Sequence, residues 1–166
     1  MKTTIIALAL LCSLPAAPSK AASKKGDVAS DANPEAQAQI RKRLDEIWND
    51  FVTKDVARQE SFHLYGPKFT AFKDGQSRCD AEANKKGESE FMQIITDSKV
   101  EMKDLAIAVY GDTAIATFNG EYSGKLSGKP ASVKQGTTLV FVKYKGDWKI
   151  VHEHFSPIGA PPPHGS

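Results

Sequence analysis

Apolar residues recur at three- and four-residue steps along Ile40, Leu44, Ile47, Trp48, Phe51 and Val52, a spacing that gathers them on one face of a helix. Its start is marked by "NPEAQ": Asn33 caps, Pro34 suits the first turn, and Glu35 sits where the helix dipole favours an anion. A second, shorter helix is expected over "DVARQESFHLY", Asp55 to Tyr65. It should end before Gly66-Pro67, because proline disfavours helical geometry in the residue ahead of it. "KFTAF" predicts a short strand. The stretch "DGQSRCDAEANKKGESEFMQIITDS" is polar at first and gains Phe91, Met92, Ile94 and Ile95 late, which predicts a loop followed by a helix.

Beyond Ser98 the pattern turns to β. "KVEMKDLAIAVYG", "DTAIATFNGEYSG", "ASVKQGTTLVFVKYKG" and "DWKIVHEHFSPI" are rich in Val, Ile, Thr, Phe and Tyr, with Gly-containing turns between them. Short turns between consecutive strands predict an antiparallel meander. Helices first and a sheet afterwards make an α+β layout, with the helices covering one face of a curved sheet. The closing "GAPPPHGS" cannot add a paired strand.

The 166 residues, 40% hydrophobic and 25% charged, suit one globular domain with a real core. The first residues, "MKTTIIALALLCSLPAAPSKAA", carry an early lysine, an apolar run from Ile5 to Leu14 and then small residues, the pattern of a cleaved secretory signal. The expected organisation is a signal over 1–21, a flexible leader over 22–32, the domain over 33–158 and a Pro-rich tail over 159–166, in a periplasmic or secreted protein. A lipoprotein cut at Cys12 is a poor match, since "ALL" precedes it. Signal removal leaves Cys79 as the single cysteine, so no intramolecular disulfide forms; pairing between subunits stays open. Formal net charge is +2 without long runs of like charge, which argues against a nucleic-acid partner. No membrane association is expected once the signal is gone.

Chemistry concentrates in "DWKIVHEHFSP". Strand parity puts Trp148, Ile150, His152, His154 and Ser156 on one side and Val151, Glu153 and Phe155 on the other. At a rise of about 3.3 Å per residue the two histidine Cα atoms lie ~6.6 Å apart, close enough to share a metal. A zinc site needs three or four ligands, however, and His63, expected in a helix, and His164, in the tail, have no ligand-like neighbours. No metal and no cofactor are expected. Glu121 and Glu153 take the parity opposite to Tyr122 and His152, which predicts that both are exposed or at a subunit contact. Val151 and Phe155, with either Val140 and Val142 or Leu139 and Phe141, make both faces of the late strands partly apolar, which predicts a homodimer or larger oligomer.

"GDTAIATFNGEYSG" and "TTLVFVKYKGDWKIVHEHFSPIGAP" resemble the SnoaL-like branch of the nuclear transport factor 2-like superfamily. The likeness is greatest to the association (hub) domain of calcium/calmodulin-dependent protein kinase II and its bacterial relatives. The matching features are Thr138, the turn Gly146 to Trp148, and Val151, His152, His154 and Ser156. The resemblance implies a cone-shaped, cystatin-like α+β fold around a pocket, with a bent antiparallel sheet whose outer face mediates assembly. It implies that His152, His154 and Thr138 line the pocket. Trp48, Tyr65 and Tyr122 are candidate aromatic walls, with core packing the competing role. Gly120 and Leu139 stand where hub domains carry arginines, so the expected ligand is small and apolar or neutral. Two function classes follow: an exported pocket domain or assembly module without catalysis, or an isomerase, cyclase or hydrolase with His152 or His154 as base and Tyr122 as donor.

Overall fold

A computed structural model describes residues 32–159. The expected signal, the leader up to residue 31 and the tail from residue 160 onward lie outside the described residues. Helix α1, Pro34–Thr53, starts as its sequence dictates: the Asn33 side chain accepts the Ala36 N–H at 3.2 Å. It stops at Lys54, whose φ of 63° is left-handed. Its buried stripe is Ala36, Ile40, Leu44 and Ile47.

Helix α2, Val56–Ser61, is capped by Asp55 and is shorter than expected. The chain leaves the helix at Phe62 because a better set of partners is at hand. Phe62 O accepts the Ile150 N–H at 2.9 Å, and Leu64 N–H donates to Ile150 O at 2.8 Å. His63 is therefore held in an extended bridge beside Ile150 and not in a helix.

Strand β1, Thr70–Lys73, precedes helix α3, Ala81–Ile94, whose N-cap Asp80 accepts the Ala83 N–H at 2.9 Å. Helix α3 runs without a loop into β2, Ile95–Tyr110. Strands β3, Thr113–Leu126, β4, Lys129–Tyr144, and β5, Asp147–Pro157, complete the sheet. Its order is β1-β5-β4-β3-β2. The last four strands form the expected antiparallel meander, while β1 joins β5 in parallel and makes the sheet mixed. Ser127-Gly128 and Lys145-Gly146, all with positive φ, close tight hairpins of the kind that matches strand twist.

The core lies between α1 and the inner face of the sheet. Ile40, Leu44, Ile47 and Phe62 pack with Ala114, Ala116, Phe118, Leu139, Phe141, Trp148 and Ile150. Leu139 is thus core, and the outer face takes Val140 and Val142.

A β-bulge in β5 decides which side chains enter the molecule. Phe141 pairs with Ile150 but Val140 pairs with His152, so Val151 is an extra residue on β5. Trp148 and Ile150 face inward before the bulge. After it the parity reverses, and Glu153 is buried while His154 is exposed.

Candidate functional site

The bulge delivers Glu153 into a buried polar cluster. His63 comes from the bridge after α2, Tyr65 from two residues further on, and Lys73 from the end of β1. Asn84 and Glu88 project from successive turns of α3. His63 Nε2 lies 2.8 Å from Glu153 Oε1, and Nδ1 lies 3.1 Å from the Gln59 carbonyl. Both ring nitrogens face acceptors, so both carry a proton and the ring is an imidazolium. Burial opposes that charge, but the Glu153 carboxylate overrides it and raises the His63 pKa.

The second cation is Lys73. Its Nζ lies 2.9 Å from Glu88 Oε1 and 3.4 Å from Glu153 Oε2. Burial opposes its charge, and the two carboxylates more than offset that penalty. Asn84 Nδ2 donates to Tyr65 Oη and to Glu153 Oε2, each at 3.2 Å, and Tyr65 Oη donates to Glu88 Oε2 at 3.4 Å. The Tyr65 ring stacks on His63 at 4.7 Å and 7°. Two cations and two carboxylates thus form one hydrogen-bonded network, which is how buried charge is tolerated.

The carboxylates diverge in proton affinity. Glu153 is held well below the usual range, since His63 and Lys73 outweigh its burial. Glu88 is pushed up, by burial first and then by the negative charge of Glu153. Exposure is equally uneven: the side chains of His63 and Glu153 are 0% and 4% exposed, those of Glu88 and Lys73 19% and 28%. Solvent therefore meets the network through Lys73 and Glu88.

Ligand atoms of His63, Glu88 and Glu153 lie within 4.8 Å of one another, a spacing that would suit a metal ion. The Lys73 ammonium already supplies the positive charge between these carboxylates, and His63 would first have to give up a proton. The donor set fits an ion-pair network better than a metal centre.

Of the residues singled out in the sequence, Trp48, Tyr65 and Tyr122 do face the interior. Trp48 meets Phe118 and Tyr122 edge-on at 6.1 and 5.5 Å. Tyr122 Oη is 3.1 Å from Thr137 Oγ1, and burial raises its pKa to about 12. Its ring covers Gly120, where an added Cβ would come within 2.5 Å of the phenol oxygen.

Thr138, His152 and His154 are on the outer face, contrary to the pocket-lining role expected of them. Thr138 pairs with Thr117 on one side and His154 on the other. His152 Nδ1 meets Thr70 Oγ1 at 2.7 Å. His154 borders an outer groove of about 290 Å³ with Thr117, Asn119, Gly136, Thr138 and Ser156. The bulge at Val151 turns His152 and His154 outward, whereas Thr138 takes the outer face by the alternation of β4 between buried Thr137 and Leu139; the bulge also corrects the expectation for Glu153, which is buried among the cations.

The residues that sequence reasoning missed are His63, Lys73, Asn84, Glu88 and Glu153. One signal was available: in an extended chain His63 and Tyr65 share a side, and Gly66-Pro67 already disfavours helix there.

These features define the class: an α+β protein in which helices back the inner face of a bent, five-stranded mixed sheet. The chain belongs to the SnoaL-like domain family, whose model matches residues 40–161. Solved structures of the nuclear transport factor 2-like superfamily share its fold. A candidate dehydratase of that family from Streptomyces avermitilis is 17% identical with a TM-score of 0.70, over 76% of this chain and 99% of that one. The calcium/calmodulin-dependent protein kinase II hub homology domain of Chlamydomonas reinhardtii is 17% identical with a TM-score of 0.61, over 75% and 99%. A candidate association domain of the same kinase type from Xanthomonas campestris is 16% identical with a TM-score of 0.62, over 80% and 93%. At these identities the likeness is one of fold. No curated protein matches the chain.

Proposed function

We propose that this is an exported SnoaL-like domain that associates with itself through the outer face of its sheet and serves as an assembly module. One observation carries the reading: the inner face is filled, while the outer face is apolar at its centre and uncovered by any described helix. Inside, Trp48, Phe118, Tyr122 and Phe155 make successive edge contacts. Outside, Ile115 pairs with Val140 and Thr113 with Val142, and β5 adds Val151 beside them. Burying such a face in a second copy removes apolar area from water. The neighbours described as hub and association domains support self-association.

The enzyme reading has less support, because the buried histidine offers no free nitrogen. Both nitrogens of His63 are engaged, and His152 and His154 lie outside the cluster. Export rests on the charge and hydropathy pattern of the first residues.

Light scattering on the purified domain tests the assembly reading. A mass of two or more chains is expected; a monomer at the highest attainable concentration overturns it. Fractionation of the source cells tests export, and retention of the full-length chain in the cytoplasm overturns that part.

A further inference from the structure

His152 and His154 stand on the outer side of β5, next to β4, the middle strand of the sheet. Val140 lies across from His152 and Thr138 across from His154, so a second copy that covers the apolar centre of this face covers both histidines too. Two residues apart on one strand, their Cα atoms are ~6.6 Å from each other and their rings leave the sheet on the same side. On the other flank β1 sets Thr70 beside His152 and Phe72 beside His154. The Phe72 ring, in a residue 39% exposed, lies 6.2 Å from the His152 ring and 5.9 Å from that of His154, an apolar wall common to the two.

Thr70 Oγ1, 2.7 Å from His152 Nδ1, can accept the proton of that nitrogen, which leaves Nε2 with a free lone pair. A metal-binding histidine is held in this way, by a hydrogen bond at the nitrogen that does not bind. Among the described residues, neither His152 Nε2 nor the His154 ring has a hydrogen-bond or ion-pair partner. Water satisfies these nitrogens while the face is open. Sealed against a second copy, each would lose that water and gain nothing for it. An isologous contact sets the same patch against itself, so imidazole meets imidazole, and a cation between them satisfies the lone pairs of both copies at once.

We propose, building on the self-association inferred above, that two copies joined through this face hold one zinc ion between His152 and His154 of each. One chain offers two of the four ligands of a closed zinc site, and the second copy supplies the other two. Packed sheets stand ~10 Å apart, so an ion midway is ~5 Å from each backbone, a span that an imidazole and a Zn–N bond of ~2.0 Å cover. Neutral imidazole is a ligand that suits zinc. Asp104 lines the same groove as His154 and brings a carboxylate towards the charge of the ion. The site is separate from the His63 and Glu153 network, which lies on the opposite side of the sheet.

Sedimentation of the untagged protein, first in chelator and then with zinc chloride, reads the effect on assembly, and native mass spectrometry reads the metal count. Zinc is expected to lower the concentration at which half the chains are paired by at least about tenfold, with one ion for every two chains. The double variant His152→Ala, His154→Ala should pair at least as well as wild type in chelator, since it buries no imidazole, and should gain nothing from zinc. Thr70→Val, which keeps both histidines but not the bond that orients one, should show a smaller gain than wild type. One zinc bound per unpaired chain, or a zinc effect retained by the double variant, would overturn the proposal. Pairing in chelator that zinc does not strengthen would sink the metal and leave the self-association standing, whereas a wild-type chain that stays single in both conditions would sink both.

Discussion

His63 Nε2 lies 2.8 Å from Glu153 Oε1, a contact between residues 90 apart in the chain that ties the segment after α2 to the last strand. Both side chains are almost wholly buried, so each depends on the other for its charge. Removing one partner of a buried pair leaves the other uncompensated.

Glu153→Ala is therefore expected to destabilise the domain by about 3–5 kcal/mol, since it takes the carboxylate from the buried His63 and leaves Lys73 with Glu88 alone. Glu153→Gln should cost less, because it keeps the volume and an acceptor. Urea unfolding checks both. A loss as small as that of an exposed ion pair, about 1 kcal/mol or less, would show that the network does not anchor the fold.

Stability should also depend on pH with a defined sign. His63 has its pKa raised in the fold, so its contribution is complete below its ordinary value of 6.5 and fades as pH rises through the higher folded value. Glu88 is raised too, and likewise favours the fold less as pH rises through its folded pKa. Glu153 is depressed, so its contribution is complete above the ordinary 4.5 and is lost as pH falls through its folded value. Thermal unfolding across pH should show the domain weakening on both sides. His63→Gln should remove most of the decline above pH 6.5, and an unchanged profile would contradict the imidazolium assignment.

Gly120 and Tyr122 should be energetically coupled. Gly120→Ala alone places a methyl group within 2.5 Å of the phenol oxygen and should cost about 1–3 kcal/mol through overpacking. In a Tyr122→Ala background the same change should be nearly neutral. A double-mutant cycle measures the difference, and additive costs would mean that the ring does not rest on the glycine.

Thr138→Arg on the outer face should halve or further reduce the assembled mass in sedimentation while leaving the unfolding free energy of the monomer within about 0.5 kcal/mol of wild type. Leu44→Ala, on the buried stripe of α1, should do the reverse: it should cost about 2–5 kcal/mol without a specific effect on association. If both variants lose stability and mass together, the outer face is not a separable interface.

Much of the fold was legible along the chain, because helix and strand type follow from periodicity and caps, which are local. Asn33, Pro34 and the stripe from Ile40 to Ile47 define α1, and the alternation in β3 to β5 defines the meander. The α+β layout and the family resemblance came from the same local patterns. The end of α2 at Ser61 did not, since Phe62 and Leu64 give up helical bonds for Ile150, far away in sequence. Nor did the parallel pairing of β1 with β5, which no turn connects.

The site was decided almost entirely by tertiary structure. A strand shows its two faces by alternation, and one extra residue reverses them. Val151 is extra only because Val140 and Phe141 of β4 bond to His152 and Ile150, a choice made between strands. That single register step turned His152 and His154 to the outside and set Glu153 against His63 and Lys73. Which charges meet in a buried cluster depends on how distant segments pair, and the residues themselves carry no local mark of it.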